Sequence, residues 1–319
     1  MSAAAIIGKK AIRLTNGIIN LAVLIVILLL LVFGGYVMWD SGKVYGAASA
    51  THYASYKPTA EDSLTFQDLQ AINSEVTSWL TVYGTNIDYP VVQGADNMKY
   101  INTDAKGRYS LSGAIFLDAK CSPDFSDFSS ILYGHHMDKE AMFGEIGLFS
   151  DKTYFDARRY GQLYYGGQEH GVEFFAFAHA DAYDELVYRT KVVGQDTRQA
   201  YLEHLMELAI NTRKDVSVTP NDRIVLLSTC SNSSTNGRDI LVGKITNQTY
   251  ADPFEIKTTD KPDAIPVISA ASDFWTEASL PVKIIVIVLP LLLILLGIVL
   301  TYSRRKHSRK DSEGVERHV

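Results

Sequence analysis

A chain of 319 residues, 47% apolar and 21% charged, is long and apolar enough to bury a sizeable core, which excludes a disordered protein. The net charge is −6, yet the first 17 residues carry +3 and the last 17 carry +3, which leaves −12 on residues 18–302. An acidic middle argues against nucleic acid as a partner.

In chain order, Lys9, Lys10 and Arg13 lead into Ile18–Trp39, an apolar run of 22 residues interrupted by one strongly polar residue, Asn20. A second run, Ile284–Tyr302, has 19 residues, no charge and one internal proline, Pro290; Arg304, Arg305, Lys306, Arg309 and Lys310 follow it. Each run is long enough to cross a bilayer as a helix. The basic flanks predict cytoplasmic termini and put the middle outside the cell. Ala48-Ser49-Ala50 has the small residues of a cleavage site, but it lies beyond a run too long for a signal core, so an uncleaved anchor is expected.

The predicted organisation is a tail (1–17), a membrane helix (18–39), a stalk with helices (40–78), a folded domain (79–255), a connector (256–283), a second membrane helix (284–302) and a basic tail (303–319). Apolar residues at Phe66, Leu69, Ile72, Val76 and Leu80 predict a helix. Strands follow. Ile87–Val92 reads as edge or bent because of Pro90. Gly113–Leu117 and Ser130–Tyr133 are short and apolar. Gln162–Tyr165 and Gly171–Ala178 make a hairpin around Gly166-Gly167. Asp196–Ile210 is an amphipathic helix whose start resembles a capping box, Asp196 with Gln199. Arg223–Leu227 and Ile240–Ile245 close the domain. Many short strands and few helices predict a mainly β fold, a barrel with peripheral helices.

The chemistry concentrates at the end of one of these strands. Leu226-Leu227-Ser228-Thr229-Cys230 is followed, after a polar loop, by Arg238. If the two flanking runs pair, thiol and guanidinium share one end of the sheet, and a nearby cation favours the nucleophilic thiolate. A buried structural cysteine with a solvated arginine is the alternative. Of six histidines between the two apolar runs, only His135 and His136 sit in a glycine-marked break after a strand. A cysteine–histidine site needs such an imidazole to move a proton. Ordinary surface histidines are the alternative. The acidic residues form no cluster at metal-ligand spacing, so no metal or organic cofactor is expected.

Several ordered blocks resemble class B sortases, the cysteine transpeptidases of the Gram-positive cell surface. They are Trp79; Gly84-Thr85-Asn86-Ile87-Asp88-Tyr89-Pro90-Val91-Val92-Gln93-Gly94; Asp96-Asn97 with Tyr100; Gly113-Ala114-Ile115-Phe116-Leu117-Asp118; Tyr133-Gly134-His135; Met142-Phe143-Gly144; and Leu226–Cys230 with Arg238. The resemblance spans roughly residues 79–245. It implies a closed eight-stranded sortase-type barrel, flanked here by two transmembrane helices. It also implies Cys230 as nucleophile, His135 as acid/base and Arg238 as substrate and oxyanion ligand, with Ser228, Thr229 and Asn97 lining the substrate.

The substrates implied are secreted surface proteins or pilins with a C-terminal sorting signal, cleaved at a Thr carbonyl. The acceptor is an amine, a pilin lysine or a peptidoglycan cross-bridge, at the outer face of the lipid bilayer. Departures exist. Leu226 stands where Thr is frequent, and His136 where Asn is frequent. A second span is more like the pilus-assembling sortases. Asp252-Pro253-Phe254 has the letters of an aromatic lid motif but follows the last catalytic strand. A different class remains open: a non-catalytic extracellular binding module stapled by a Cys121–Cys230 disulfide, which an oxidising exterior permits. A hydrolytic cysteine peptidase is a third possibility.

Overall fold

The computed structural model describes residues 3–59, 64–231 and 236–254. The chain divides into two units, Met1–Glu255 and Ile256–Val319, and the fold described here is that of the first. The connector at 256–283, the expected second span at 284–302 and the basic tail lie outside the described residues.

Helix α1 (Ala3–Ala48) contains the first apolar run, and its segment Leu14–Ala48, 35 residues, is long and apolar enough to cross a membrane. At 1.5 Å per residue that segment spans about 50 Å, against about 30 Å of hydrocarbon. Tyr36 and Trp39 lie 6.0 Å apart, and the Lys43 ammonium sits 4.1 Å from the Trp39 ring. Aromatic rings beside a cation are what a membrane interface favours. The surplus helix, past Trp39, ends at Ala48, which is fully buried against the folded domain.

The helix expected over Phe66–Leu80 is shorter. Helix α2 (Leu64–Ile72) stops at Asn73, and strand β1 (Val76–Val82) begins three residues on. Asn73 makes the break: its Oδ1 accepts from the Glu75 amide, and its Nδ2 donates to the Tyr100 hydroxyl and the Ala105 carbonyl. Val76 and Leu80 are four apart, a spacing that suits a helix face and a strand face equally.

The strands that follow are β2 (Asp88–Val92), β3 (Ile115–Leu117), β4 (Ser129–Tyr133), β5 (Tyr160–Tyr165), β6 (Gln168–Asp181), β7 (Ala209–Thr212), β8 (Arg223–Cys230) and β9 (Gly237–Thr246). Their order is β5-β1-β2-β3-β4-β8-β9-β6, and β5 pairs again with β6, so eight strands close into a barrel. Strand β6 has 14 residues and serves two partners along one edge: β5 up to Glu173, then β7 from Ala176. The β5–β6 turn is Gly166-Gly167, with φ of 60° and 78°. Two successive positive φ values match the right-handed twist of a tight hairpin. Pro90 lies inside the sheet, not at its edge. It is tolerated because β3 meets β2 only at Val91 and Val92, leaving the Pro90 stretch of that side open.

Side chains alternate across the barrel wall. On β8, Val225 and Leu227 join the inner core with Leu132, Leu163, Phe174 and Leu241. Ile224 and Leu226 belong to an outer core, covered by Tyr201, Leu202 and Leu205 of α4 (Gln195–Glu207). Helix α4 is shorter than the expected Asp196–Ile210, because Ala209 and Ile210 pair in β7. Its N-cap is Gly194 with no side-chain cap, and Gln199 bonds Glu203 instead of closing a capping box. Asp196 then lies inside the first turn, where its charge suits the helix dipole.

Candidate active site

The site forms where β4, β8 and β9 end together. Strand β8 continues through Ser228 and Thr229 to Cys230, and Cys230 is the direct partner of Arg238 on β9. Strand β4 lies parallel on the other side of β8, with Tyr133 opposite Ser228 and the Gly134 amide donating to the Ser228 carbonyl at 3.2 Å. Carrying that register two residues further sets His135 opposite Cys230. His135, Cys230 and Arg238 thus form one row across three adjacent strands. Directly opposed residues point to the same face, and this face continues the Leu226–Ser228 side, outside the barrel. Cys230 is exposed, while Ser228 and Thr229 are 2% exposed.

The His135 ring has a fixed partner: its Nε2 lies 2.7 Å from the Ile101 carbonyl. A carbonyl only accepts, so Nε2 carries a proton and Nδ1 is left for chemistry. Close packing holds that carbonyl in place. Gly113 has φ of +59°, and a Cβ there would stand 2.4 Å from the Tyr100 carbonyl oxygen and 2.6 Å from that of Ile101. Sequence reasoning missed Ile101 because the group that acts is backbone. The glycine at 113 is the only trace it leaves in the sequence. His136 sits one residue off the row and forms an isolated bridge with Met142.

Arg238 donates to the Gly237 carbonyl at 3.0 Å. Ser228 shares a hydrogen bond of 3.0 Å with the Tyr188 hydroxyl. Tyr188 stacks on Tyr133 at 6.2 Å, and the Tyr133 hydroxyl donates to Asp118 at 3.1 Å. Asn97 joins the same carboxylate: Nδ2 donates to Asp118 at 2.7 Å, and Oδ1 accepts from the Ala119 amide at 2.8 Å. The structure thus brings Asn97 and Ser228 to one polar and aromatic wall beside the cysteine, with Asp118, Tyr133 and Tyr188 between them. Tyr188 carries no sequence signal, since it lies in a loop 40 residues before Ser228.

Thr229 points the other way, into the wall with Asp239, its partner on β9. Among the described residues its Oγ1 has no hydrogen-bond partner. Asp239 meets His179 at 3.0 Å. Thr229 is therefore behind the cysteine strand and not in line with the row. Asp252-Pro253-Phe254 is also remote from it: Phe254 packs on Gly84 and beneath the Arg158 guanidinium.

The disulfide alternative fails on geometry. Both cysteines are free. Cys121 is buried, with Sγ 3.8 Å from the Ser129 carbonyl. Ser129 is level with Ile224, six residues below Cys230 on β8. Six strand residues span about 20 Å, whereas a disulfide needs Cα atoms within about 7 Å. Burial also pushes the Cys121 thiol up to about 11. No group of three or more metal-ligating side chains occurs among the described residues.

A closed eight-stranded barrel whose strand ends align an exposed thiol, an imidazole and a guanidinium defines a cysteine acyl-transfer enzyme of the sortase type. No family model matches the chain. Sortase B of Listeria monocytogenes is 30% identical over 208 residues, covering 65% of this chain and 82% of that protein. Among solved structures, sortase B from the Type II pilus of Streptococcus pneumoniae is 48% identical with a TM-score of 0.51, covering 57% of this chain and 99% of that one. A Streptococcus pyogenes class B sortase involved in pilus biogenesis is 38% identical with a TM-score of 0.52, covering 56% and 97%. The chain belongs to the class B sortases and is a sortase cysteine transpeptidase. Enzymes of this family act on sorting-signal peptides and amine acceptors.

Proposed function

We propose that Cys230, His135 and Arg238 carry the transpeptidation and that the chain polymerises pilins while anchored by α1. The observation that supports the catalytic assignment is the row those three residues make across β4, β8 and β9. The Cys230 thiolate attacks a carbonyl of the sorting signal. Arg238 offers fixed positive charge where the oxyanion develops, an effect worth about 10²–10³ in rate. His135 gives its Nδ1 proton to the departing amine as the C–N bond breaks, leaving a thioacyl-enzyme. An incoming amine then attacks, His135 takes its proton, and the thiolate leaves. Ser228, Tyr188, Tyr133, Asp118 and Asn97 form the wall along which the peptide lies, and Thr229 supports the strand from behind.

For the acceptor, the supporting observation is that the pneumococcal and pyogenes neighbours are pilus sortases. A pilin lysine is the amine this reading selects; a peptidoglycan cross-bridge is the competing one. The experiment deletes the gene and runs surface extracts on a gel. Loss of a high-molecular-weight covalent ladder is expected. An intact ladder with release of one monomeric surface protein would move the function to wall anchoring.

A further inference from the structure

The loop that carries His135 is strained and externally braced. Between β4 and Gly144, three non-glycine residues, Lys139, Glu140 and Met142, adopt φ of 58°, 60° and 54°. Such backbone persists only where its surroundings hold it. The Phe143 amide ties the loop back to the His135 carbonyl at 3.0 Å, and Asn86 holds Glu140 at 3.0 Å. The remaining brace is Tyr89 on β2, 2% exposed. Its hydroxyl accepts from the Met142 amide at 3.0 Å and donates to the Ala48 carbonyl at 2.8 Å.

Ala48 is the last residue of α1. Its carbonyl is one of those a helix end leaves without an internal partner. A hydroxyl has one donor and two acceptor positions, so a single group can bond both. Burial pushes the Tyr89 hydroxyl pKa upward, so it stays protonated and keeps donating to the helix end. A weaker contact runs alongside: Tyr45 on α1 reaches Asp138 at 3.4 Å, and the Lys139 ammonium lies 4.4 Å from the Tyr45 ring. The end of the membrane helix is thus fastened to the histidine loop through side chains that contact neither Cys230 nor Arg238.

We propose that Tyr89 is a positioning residue for His135, joining the end of α1 to the histidine loop so that the imidazole is held in register with Cys230. This rests on His135 being the acid/base. Because the hydroxyl touches no reacting atom, its loss acts on the geometry of the chemical step and not on peptide binding. A small displacement of a catalytic group is enough to slow a reaction by an order of magnitude or more.

The test uses the full chain in lipid nanodiscs, with a sorting-signal peptide and an amine acceptor. Tyr89→Phe should lower kcat about tenfold with KM within twofold, and the Met142 and Phe143 amides should exchange hydrogen faster while those of β8 do not change. Tyr83→Phe is the control. Tyr83 is also buried, and its hydroxyl bonds Gln162 and the Tyr250 carbonyl, away from the loop. That variant should keep its kcat. Equal losses in the two variants, or an unchanged kcat in Tyr89→Phe, overturn the positioning role. His135→Ala is run alongside to separate the two ideas. If it retains turnover, the acid/base assignment has failed; if it is inactive while Tyr89→Phe is normal, only the brace has failed.

Discussion

Two thiols sit on opposite sides of one barrel wall, and their surroundings give them opposite chemistry. Cys121 lies under the start of β4, walled in by the inner core and bonded only to the Ser129 carbonyl. Burial there penalises the thiolate and raises the pKa to about 11, so the group remains a small apolar filler. Cys230 stands at the end of β8, exposed, with a guanidinium directly opposite on one strand and an imidazole in register on the other. Residue type is the same in the two regions, and reactivity follows from desolvation in one and from accessible positive charge in the other.

The largest effect should come from removing the reactive member of that pair. Cys230→Ala should abolish cleavage and transfer, by roughly 10³-fold or more, with the circular dichroism spectrum unchanged. Cys121→Ala should keep full turnover. Activity in Cys230→Ala with Cys121 intact would reverse the assignment.

The histidines sharpen the same contrast between in-row and off-row groups. His135→Ala should lose roughly 10²–10⁴-fold in kcat, the range of a positioned acid/base. His136→Ala should lose only a few-fold, because His136 is one residue out of register with Cys230. Steady-state kinetics with a fluorogenic sorting peptide decide between them, and the reverse ranking transfers the role to His136.

The smallest effect is on stability and concerns Cys121. Its folded pKa is raised, so the folded state holds the proton more tightly than the unfolded chain. The associated stability is complete below the ordinary thiol pKa, near 9.0, and is lost as pH rises towards 11. Relative to Cys121→Ala, the wild type should lose about 2 kcal/mol by pH 11. Urea titrations at pH 7 and pH 11 measure this. In the same preparations, iodoacetamide at neutral pH should label Cys230 and leave Cys121 unmodified until urea is added. Equal labelling of the two would show that burial does not protect Cys121.

Much of this was legible in the chain. The apolar run at Ile18–Trp39 sets a helix long enough for a membrane, because length and hydropathy are local properties. The strand calls at β2, β3, β4, β5 and β9 depend on short apolar runs and turn residues, also local. The ordered blocks around Tyr133-Gly134-His135 and Leu226–Cys230 carry the family resemblance, and with it the barrel. Where local pattern is ambiguous, only tertiary structure decided. Val76 and Leu80 fit helix and strand alike until Asn73, bonded to Tyr100 and Ala105, ends the helix. Pro90 predicts an edge, but β3 is short enough to leave that stretch unpaired.

The separation of the two cysteines, the rotation of Thr229 away from the site, the Ile101 carbonyl on His135 and the Tyr89 bridge have no sequence signature of their own. Each depends on the register between strands distant in sequence, or on a backbone group that every residue type supplies. Residue identity determines which chemical groups this chain possesses. Closing β5 onto β6 and aligning β4, β8 and β9 determines which of them meet.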